Sequence, residues 1–270
     1  IPIAYDENGK PIKISKDIFK GKFNTSKKLV LEEFLKGEEV SYFLIVDKKG
    51  YKFFGTAQDH KRVGEKEKGP NTGGMGAYSP ATIISKQIEK KIIKKIVNPT
   101  LKALKIKKNP YTGFLYVGLM IVKNEPYLIE YNIRMGDPEC QVIMPRLKTD
   151  LVQLLDASVR NKLNKVKIKW TRDKSMTVVL CSKGYPNKYI ANKIINLKNI
   201  SLDKKSFIFH AGTKMKNNLF FSTSGRVLNI VVLGNVFFKI RNQIHKIINT
   251  INWKHGFFRR DIGWRVIKNK

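Results

Sequence analysis

The stretch YLIEYNIRMGDPECQ, residues 127–141, decides the fold class and the place of the candidate site. Its first residues are bulky and apolar, which predicts a strand, and Gly136 ends that strand. Side chains alternate between the two faces of a strand, so Glu130, Asn132 and Arg134 are predicted to share one face. That face carries a carboxylate, a carboxamide and a guanidinium in a row.

This row of polar groups suggests a phosphate-handling site. Glu130 and Asn132 offer two hard oxygen ligands, which suit Mg²⁺ held together with substrate phosphates. Arg134 can form a forked pair with a phosphate or a carboxylate. An exposed polar face on an edge strand explains the same residues, and the motif alone leaves that alternative open.

Composition predicts a soluble globular protein of the cytoplasm. The chain has 270 residues, of which 42% are hydrophobic. The longest apolar run, residues 114–122, is too short to span a bilayer, and the polar start predicts no signal peptide. Two cysteines, Cys140 and Cys181, form no disulfide framework and are predicted to be free thiols in a reducing compartment.

The formal net charge is +32, which raises the question of a nucleic-acid partner. Of the 53 basic residues only 10 are Arg and 43 are Lys, and they are spread over the whole length. A dedicated nucleic-acid surface favours clustered charge, more Arg and aromatic stacking platforms. Even spreading therefore favours coding bias over nucleic-acid binding. A non-enzymatic basic protein stays open as an alternative and predicts salt-sensitive binding.

A long glycine-rich loop, residues 58–80, is the second candidate for chemistry. Its five glycines let the backbone approach an anion closely. At its mouth, Lys61 and Arg62 can clamp phosphates and Asp59 can hold an ammonium group. A loop of this length is either functional or simply flexible, and composition alone does not decide between the two.

Acidic residues between two apolar strands mark a third candidate. Glu32, Glu33, Glu38 and Glu39 interrupt the apolar segments at residues 29–46. We interpret them as a nucleotide edge, where backbone groups meet adenine and a carboxylate such as Glu39 accepts hydrogen bonds from ribose hydroxyls. A solvated hairpin end is the alternative.

Periodicity predicts the remaining elements. Helical spacing covers residues 85–104, with Ser85 as the cap and an interruption at Pro99. A second helix is predicted at residues 149–163, capped by Thr149, and a third at residues 237–251. The run 114–122 should pair antiparallel with the opening stretch. Beyond residue 164 short strands dominate, and His210 at the end of one is interpreted as structural.

Five segments together resemble the phosphoribosylamine–glycine ligase family of ATP-grasp enzymes. They are TAQDHKRVG (56–64), GPNTGGMGAYSP (69–80), NPYTGFLYVGLM (109–120), IEYNIRMGDPECQ (129–141) and FFRRDIGWRVI (257–267). The resemblance runs from about Leu29 to Ile267. It implies an α/β (α+β) fold: an ATP-grasp domain with an antiparallel sheet and flanking helices, followed by a smaller, mostly-β C-terminal domain. The expected divisions are residues 1–28, a remnant of the small subdomain, 29–164 and 165–270.

The resemblance also implies a reaction of purine biosynthesis. Glycine, ATP and 5-phosphoribosylamine give glycinamide ribonucleotide, ADP and phosphate through a glycyl phosphate, with Mg²⁺ or Mn²⁺ as cofactor. It assigns the metal to Glu130 and Asn132, and catalysis to Arg134 and Asp137. The implied ATP-binding residues are Glu32, Glu33, Phe34, Leu35, Glu39, Arg62 and Asn71. The implied substrate-binding residues are Asp59, Lys61, Gly73, Gly74 and Arg134.

The sequence departs from the family pattern in three places. Met135 stands where the family usually has Phe, a tolerable apolar exchange. Residues 119–121 offer no acidic metal ligand, so phosphates and water would complete the shell. The family's N-terminal domain and lysine-bearing phosphate loop have no counterpart before Leu29. We therefore expect a C-terminal part with impaired activity on its own. The sequence leaves open whether a separate N-terminal chain completes it. Another ATP-grasp carboxylate–amine ligase remains an alternative.

Overall fold

The computed structural model of the chain describes residues 33–267. The chain divides into two compact units, residues 1–38 and 39–270. The remnant expected at residues 1–28, the strand predicted to start at Leu29 and the candidate Glu32 lie outside the described residues. The fold that positions the candidate site is therefore that of the second unit.

Fourteen strands are formed within the described residues. In chain order they are β1 (Glu38–Asp47), β2 (Gly50–Asp59), β3 (Arg62–Gly64), β4 (Lys68–Asn71), β5 (Gly76–Ser79), β6 (Gly113–Val122), β7 (Glu125–Asn132), β8 (Lys174–Ser182), β9 (Ile194–Ile195), β10 (Ser206–His210), β11 (Thr213–Lys216), β12 (Leu219–Ser222), β13 (Arg226–Gly234) and β14 (Gly256–Phe257).

Nine of these strands form one sheet, in the order β10-β13-β8-β5-β2-β1-β6-β7, with β14 also paired to β8. The pairs β1–β2, β2–β5, β5–β8, β8–β13, β10–β13 and β6–β7 are all antiparallel. Strand β5 precedes residue 165 and β8 follows it, and the two are paired, so one sheet contains strands from both sides of the predicted domain boundary. The division at residue 165 stays a prediction. Strands β11, β12 and β9 form a second small sheet, and β3 and β4 pair as a hairpin.

The predicted pairing of β6 with β7 is confirmed. Gly118 lies opposite Glu130 and Tyr116 opposite Asn132, and the register shifts between Gly118 and Leu119. Strand β7 is the edge of the sheet. It ends at Asn132 and not at Gly136, because its pairing with β6 ends there. The prediction that Arg134 shares a strand face with Glu130 and Asn132 is therefore wrong, and Arg134 lies in a bend two residues beyond the strand.

The predicted long helix consists of three parts. Lys86–Ile92 form α1, Ile93–Val97 form a π-helical turn and Asn98–Ile106 form α2. The Ser85 hydroxyl accepts a hydrogen bond from the backbone N–H of Ile88, which confirms the predicted cap. The interruption falls just before Pro99, whose ring nitrogen has no hydrogen to donate.

Two short helices and one long helix complete the fold: α3 (Glu139–Ile143), α4 (Leu151–Val159) and α5 (Phe237–Ile251). The cap predicted for α4 at Thr149 is wrong. Asp150 lies directly before the first helical residue, and its carboxylate accepts from the N–H of Gln153 at 2.8 Å. The Thr149 hydroxyl accepts from the N–H of Lys169 instead.

Burial follows the predicted apolar face in the longest helix, whereas Leu155 and Val159 of α4 are exposed. Helix α5 buries Ile240, Ile244 and Ile247 against the sheet around β8 and β13. Cys140 and Cys181 are both free thiols, as predicted. Between residues 33 and 267, no helix has the length and apolar character that crossing a membrane requires.

Candidate active site

One open cleft of ≈130 Å³ brings together two of the three stretches that the sequence singled out, residues 127–141 and the glycine-rich loop; no described residue of the acidic segment lines it. It lies where β7, the glycine loop after β4 and the loop before α3 meet. Seven of the predicted site residues line it: Asp59, Lys61, Gly73, Glu130, Asn132, Arg134 and Asp137. Four further residues line it that the sequence did not assign to a site: Thr72, Tyr116, Gly136 and Glu139.

Glu130 and Asn132 form the oxygen-rich side of the cleft. Both lie on β7, and the Asn132 amide donates to the Glu130 carboxylate at 3.0 Å, so the two side chains share one face. Among the described residues, no group of three or more His, Cys, Asp or Glu side chains could hold a metal. Two adjacent oxygen ligands nevertheless fit Mg²⁺, which commonly takes one or two protein ligands and completes its shell with phosphates and water.

Arg134 is exposed at the mouth of the cleft. Its only hydrogen bond within the described part of the chain is donated by Nη1 to the Met135 carbonyl at 3.0 Å. Most of its N–H groups therefore face solvent, where a phosphate or a carboxylate can reach them.

A salt-bridged cluster forms the inner wall. Lys61 is ion-paired with Glu39, and the same ammonium lies near the half-buried Asp59. Burial raises the pKa of Asp59 well above its usual range, and the Glu139 carboxylate raises it further. Burial by itself lowers the pKa of Lys61, but the carboxylates of Asp59 and Glu39 raise it above its ordinary value. A charged lysine is thus held at the wall among carboxylates.

Glu139 closes the cleft from below. Only 4% of its surface is exposed, and the Ser41 hydroxyl donates to its carboxylate at 2.9 Å. Burial raises the pKa of Glu139. A Cβ at Gly136 would lie 2.4 Å from this carboxylate, so a larger residue there would have to displace the buried Glu139 side chain. The backbone at Gly136 therefore packs closely against the Glu139 carboxylate.

Arg226, at the start of β13, joins the two loops of the cleft. Its Nη1 donates to the Gly73 carbonyl at 2.6 Å and its Nη2 to the Asp137 carboxylate at 2.9 Å. The Gly73 N–H donates to the Tyr185 hydroxyl at 2.9 Å. Sequence reasoning missed both Arg226 and Tyr185. The one feature of the sequence that pointed to Arg226 was its position at the start of a mostly apolar strand.

The remaining predicted residues lie elsewhere. Arg62 and Asn71 belong to the β3–β4 hairpin but do not line the cleft, and the Arg62 guanidinium donates to the Gly69 carbonyl. Gly74 has φ +111°, and a Cβ there would meet Pro138 at 2.4 Å. Glu33, Phe34 and Leu35 lie in the first compact unit, in a segment without regular secondary structure. Their roles, like those of the cleft residues, stay predictions.

The fold and the cleft together define a class of protein. A large antiparallel sheet with flanking helices and a glycine loop beside the edge strand is the organisation of an ATP-grasp domain. One solved structure with the same fold is the phosphoribosylamine–glycine ligase of Thermotoga maritima, with a TM-score of 0.74 and 31% identity; the match covers 85% of this chain and 56% of that one. Phosphoribosylglycinamide synthetase from Anaerococcus prevotii shares the fold, with a TM-score of 0.60, 17% identity and coverage of 93% and 61%.

The chain belongs to the phosphoribosylglycinamide synthetase family. The family's ATP-grasp (A) domain matches residues 2–140 and its C domain matches residues 175–265. The phosphoribosylamine–glycine ligase of Agrobacterium fabrum is 45% identical over 253 residues, which are 93% of this chain and 59% of that protein. The chain thus spans about three fifths of the length of that curated relative.

Proposed function

We propose that this chain carries the reaction centre of an ATP-dependent carbon–nitrogen ligase of purine biosynthesis. The reaction joins glycine to 5-phosphoribosylamine and gives glycinamide ribonucleotide, ADP and phosphate. The names of the relatives support this proposal. The observation that carries it is the convergence of an oxygen-ligand pair, a solvent-facing arginine and a carboxylate-bound lysine on one cleft.

The reaction proceeds in two balanced steps. A carboxylate oxygen of glycine attacks the γ-phosphorus of ATP, the bond to the β-phosphate oxygen breaks, and ADP leaves with the electron pair. The amine nitrogen of phosphoribosylamine then attacks the acyl carbon, loses a proton, and phosphate departs with the former carboxylate oxygen. Both steps bring anions together, so positioning and charge neutralisation are the main demands on the protein.

The charged residues of the cleft can position and neutralise the substrates. Arg134 faces the acyl phosphate or the glycine carboxylate with unengaged N–H groups. Asp59 and Lys61 lie on the inner wall, where Asp59 meets the ammonium group of glycine and Lys61 a phosphate. Gly73 lines the rim, where it carries no side chain that would block an anion, and its own N–H is held by the Tyr185 hydroxyl. Gly74 keeps that loop close to Pro138. Arg226 orients Asp137 at the substrate end.

Glu130 and Asn132 are the residues that would hold the metal. Mg²⁺ or Mn²⁺ bound there supplies positive charge to the phosphates of ATP. Glu33, Phe34, Leu35, Arg62 and Asn71 are assigned to the nucleotide by resemblance, and Glu39 to the ribose. In the structure the Glu39 carboxylate pairs with Lys61, so a ribose hydroxyl would share that carboxylate with the lysine.

The partners of this site are small molecules: ATP, glycine and phosphoribosylamine. The curated relatives are longer single chains, so a separate N-terminal chain stays a prediction. A cytoplasmic setting suits the two free thiols.

The proposal is tested by ADP release from the 270-residue chain with Mg²⁺ and ATP, with and without glycine plus phosphoribosylamine. Substrate-dependent release is expected, and Glu130→Ala should reduce it by about 10²-fold or more, the scale of removing a group that stabilises transferring charge. Glu125→Ala is the matched control, because Glu125 lies on the same strand but pairs with Lys91 and Lys95 away from the cleft.

Two results would count against the proposal. Equal loss in the Glu130 and Glu125 variants would remove the metal assignment. ADP release that depends on another amino acid and not on glycine would point to a different carboxylate–amine ligase. The assay is repeated with the N-terminal part of the Agrobacterium fabrum relative added, to detect activity that needs it.

A further inference from the structure

The β3–β4 hairpin, residues 62–71, directly connects two cleft residues, Lys61 and Thr72. Its strands pair only with each other among the described strands. At its tip Lys66 and Glu67 both have φ 55°, a left-handed conformation that costs a non-glycine residue free energy. A hairpin of this kind needs contacts from outside to keep one shape.

The C-terminal segment, residues 259–265, supplies those contacts through Arg259. This arginine is 1% exposed, the largest fully buried side chain among the described residues. Its Nε and Nη2 donate to the Asp261 carboxylate at 2.8 and 2.7 Å. Its Nη1 donates to the Arg62 carbonyl at 3.0 Å, and Nη1 and Nη2 donate to the Glu67 carboxylate at 3.3 and 3.2 Å. The guanidinium thus joins the tail to the first strand of the hairpin and to its tip.

Neighbours of Arg259 hold the strained tip itself. The Lys66 N–H donates to the Asp261 carboxylate at 2.8 Å. Trp264 Nε1 donates to the Glu67 carboxylate at 3.3 Å, and Arg265 forms an ion pair with it at 3.2 Å. Charge-assisted hydrogen bonds of this kind are about twice as strong as neutral ones, which offsets the cost of the left-handed tip.

His60 attaches the base of the same loop to the tail. Its Nε2 accepts a hydrogen bond from the Gly263 N–H at 3.2 Å. The His60 N–H donates to the Gly76 carbonyl, and the His60 carbonyl accepts from the Met75 N–H, both at 2.9 Å. The hairpin is therefore fixed at its tip and at its base by one segment that lies about 190 residues later in the chain.

We propose that Arg259 is a positioning residue, which acts through Glu67 and the Arg62 carbonyl to hold Lys61 and Gly73 in place in the cleft. The tail is thereby part of the machinery of the site without lining it. The inference rests on the proposed function for its kinetic consequence only. The mechanical consequence, a fixed hairpin, is tested independently.

The first test is hydrogen–deuterium exchange of the full 270-residue chain. Glu67→Gln weakens the hairpin's hold while Asp261 still balances the Arg259 charge, so the variant should fold. Amides of residues 60–76 should exchange roughly tenfold faster, the effect of losing about 1.4 kcal/mol, with β8 and β13 unchanged. Glu65→Gln is the matched control, because Glu65 is exposed two residues away and has none of these contacts. Unchanged exchange of the hairpin in Glu67→Gln would overturn the proposal.

The second test separates positioning from general stability by kinetics. Lys61, Thr72 and Gly73 line the cleft next to the two ends of the hairpin, whereas Glu67 and Glu65 do not line it. At a temperature where both variants are fully folded, Glu67→Gln should therefore raise the KM for glycine or phosphoribosylamine by about threefold or more relative to Glu65→Gln. KM values equal to those of Glu65→Gln would overturn the positioning role.

The positioning role can also be tested if the proposed function is wrong. If the wild-type chain releases no ADP, the kinetic test is carried out by calorimetric titration of glycine in the presence of Mg²⁺ and an ATP analogue. Weaker glycine binding by Glu67→Gln than by Glu65→Gln supports the positioning role, and equal binding overturns it. The exchange experiment decides the fixed hairpin in either case.

Discussion

Two arginines, Arg134 and Arg259, show how differently this molecule treats the same side chain. Arg134 is exposed and, among residues 33–267, makes one hydrogen bond, to the carbonyl of its neighbour. Arg259 is 1% exposed and donates five hydrogen bonds to two carboxylates and a carbonyl. Donors that are saturated inside the protein hold the framework, whereas unengaged donors at a cleft are available to an anionic ligand.

Two glutamates repeat the contrast. Glu130 has Asn132 as its hydrogen-bond partner, and Glu67 is bound by Arg259, Trp264 and Arg265. The first carboxylate is positioned to take a ligand and the second to hold a loop. Each contrast predicts different effects for substitutions at the two residues compared.

The largest expected effect is that of Arg259→Met. It leaves Glu67 and Asp261 without their buried partner, and breaking a buried ion pair costs about 3–5 kcal/mol. Arg134→Met should change the free energy of unfolding by less than about 0.5 kcal/mol, as is usual for an exposed side chain. Urea unfolding of both variants measures the difference. Similar values for the two would show that the contrast in hydrogen bonding has no energetic meaning.

Gly136→Ala should come next, with a loss of about 1–3 kcal/mol, the usual cost of forcing atoms into a filled space. The added methyl group would lie 2.4 Å from the Glu139 carboxylate. Gly50→Ala is the control, since a Cβ there meets nothing within 4 Å. Thermal unfolding followed by calorimetry compares the two. If Gly136→Ala were as mild as Gly50→Ala, the close packing of Gly136 against the Glu139 carboxylate would be wrong.

His60 gives the smallest of these effects, and one that depends on pH. Burial, followed by the positive charges of Arg265 and Arg259, lowers the pKa of His60 well below its ordinary 6.5. Below pH 6.5 the unfolded chain therefore binds a proton that the folded chain does not, so His60 reduces stability as pH falls. The slope is at most about 1.4 kcal/mol per pH unit.

The check is the free energy of unfolding of wild type and His60→Gln between pH 8 and pH 5. Glutamine keeps an oxygen that can accept from the Gly263 N–H but does not titrate. The wild type should lose more stability than the variant as the pH is lowered. Parallel pH profiles would show that His60 does not remain neutral in the fold.

Local patterns predicted much of this molecule. Alternation and turn residues located β1, β2, β6 and β7. Strands β1 and β6 bury most of their apolar residues, whereas Tyr127, Leu128 and Ile129 of the edge strand β7 are exposed. The same alternation placed Glu130 and Asn132 on one face. The cap of α4 was wrong because Thr149 and Asp150 are both good capping residues, and only the backbone shows which one precedes the first helical turn.

The contacts that complete the cleft could not be predicted in this way. Arg226 reaches Asp137 across 89 residues, and Tyr185 reaches Gly73 across 112. No local pattern specifies which strands of an antiparallel sheet become neighbours. The β5–β8 pairing, which brings β13 close to the glycine loop, is of this kind. The resemblance of residues 257–267 to the family was visible in the sequence, but the hydrogen bonds of this segment with the β3–β4 hairpin were not.

An ¹⁸O label in the carboxylate of glycine tests whether the cleft makes a glycyl phosphate. The chain is incubated with Mg²⁺, ATP, phosphoribosylamine and glycine carrying ¹⁸O in its carboxylate, and the released phosphate is analysed by mass spectrometry. If the cleft makes a glycyl phosphate, the amine displaces phosphate together with one former carboxylate oxygen, so each phosphate carries one ¹⁸O. Phosphate without ¹⁸O, released together with ADP, would mean that water and not glycine receives the phosphoryl group, and would contradict the ligase mechanism.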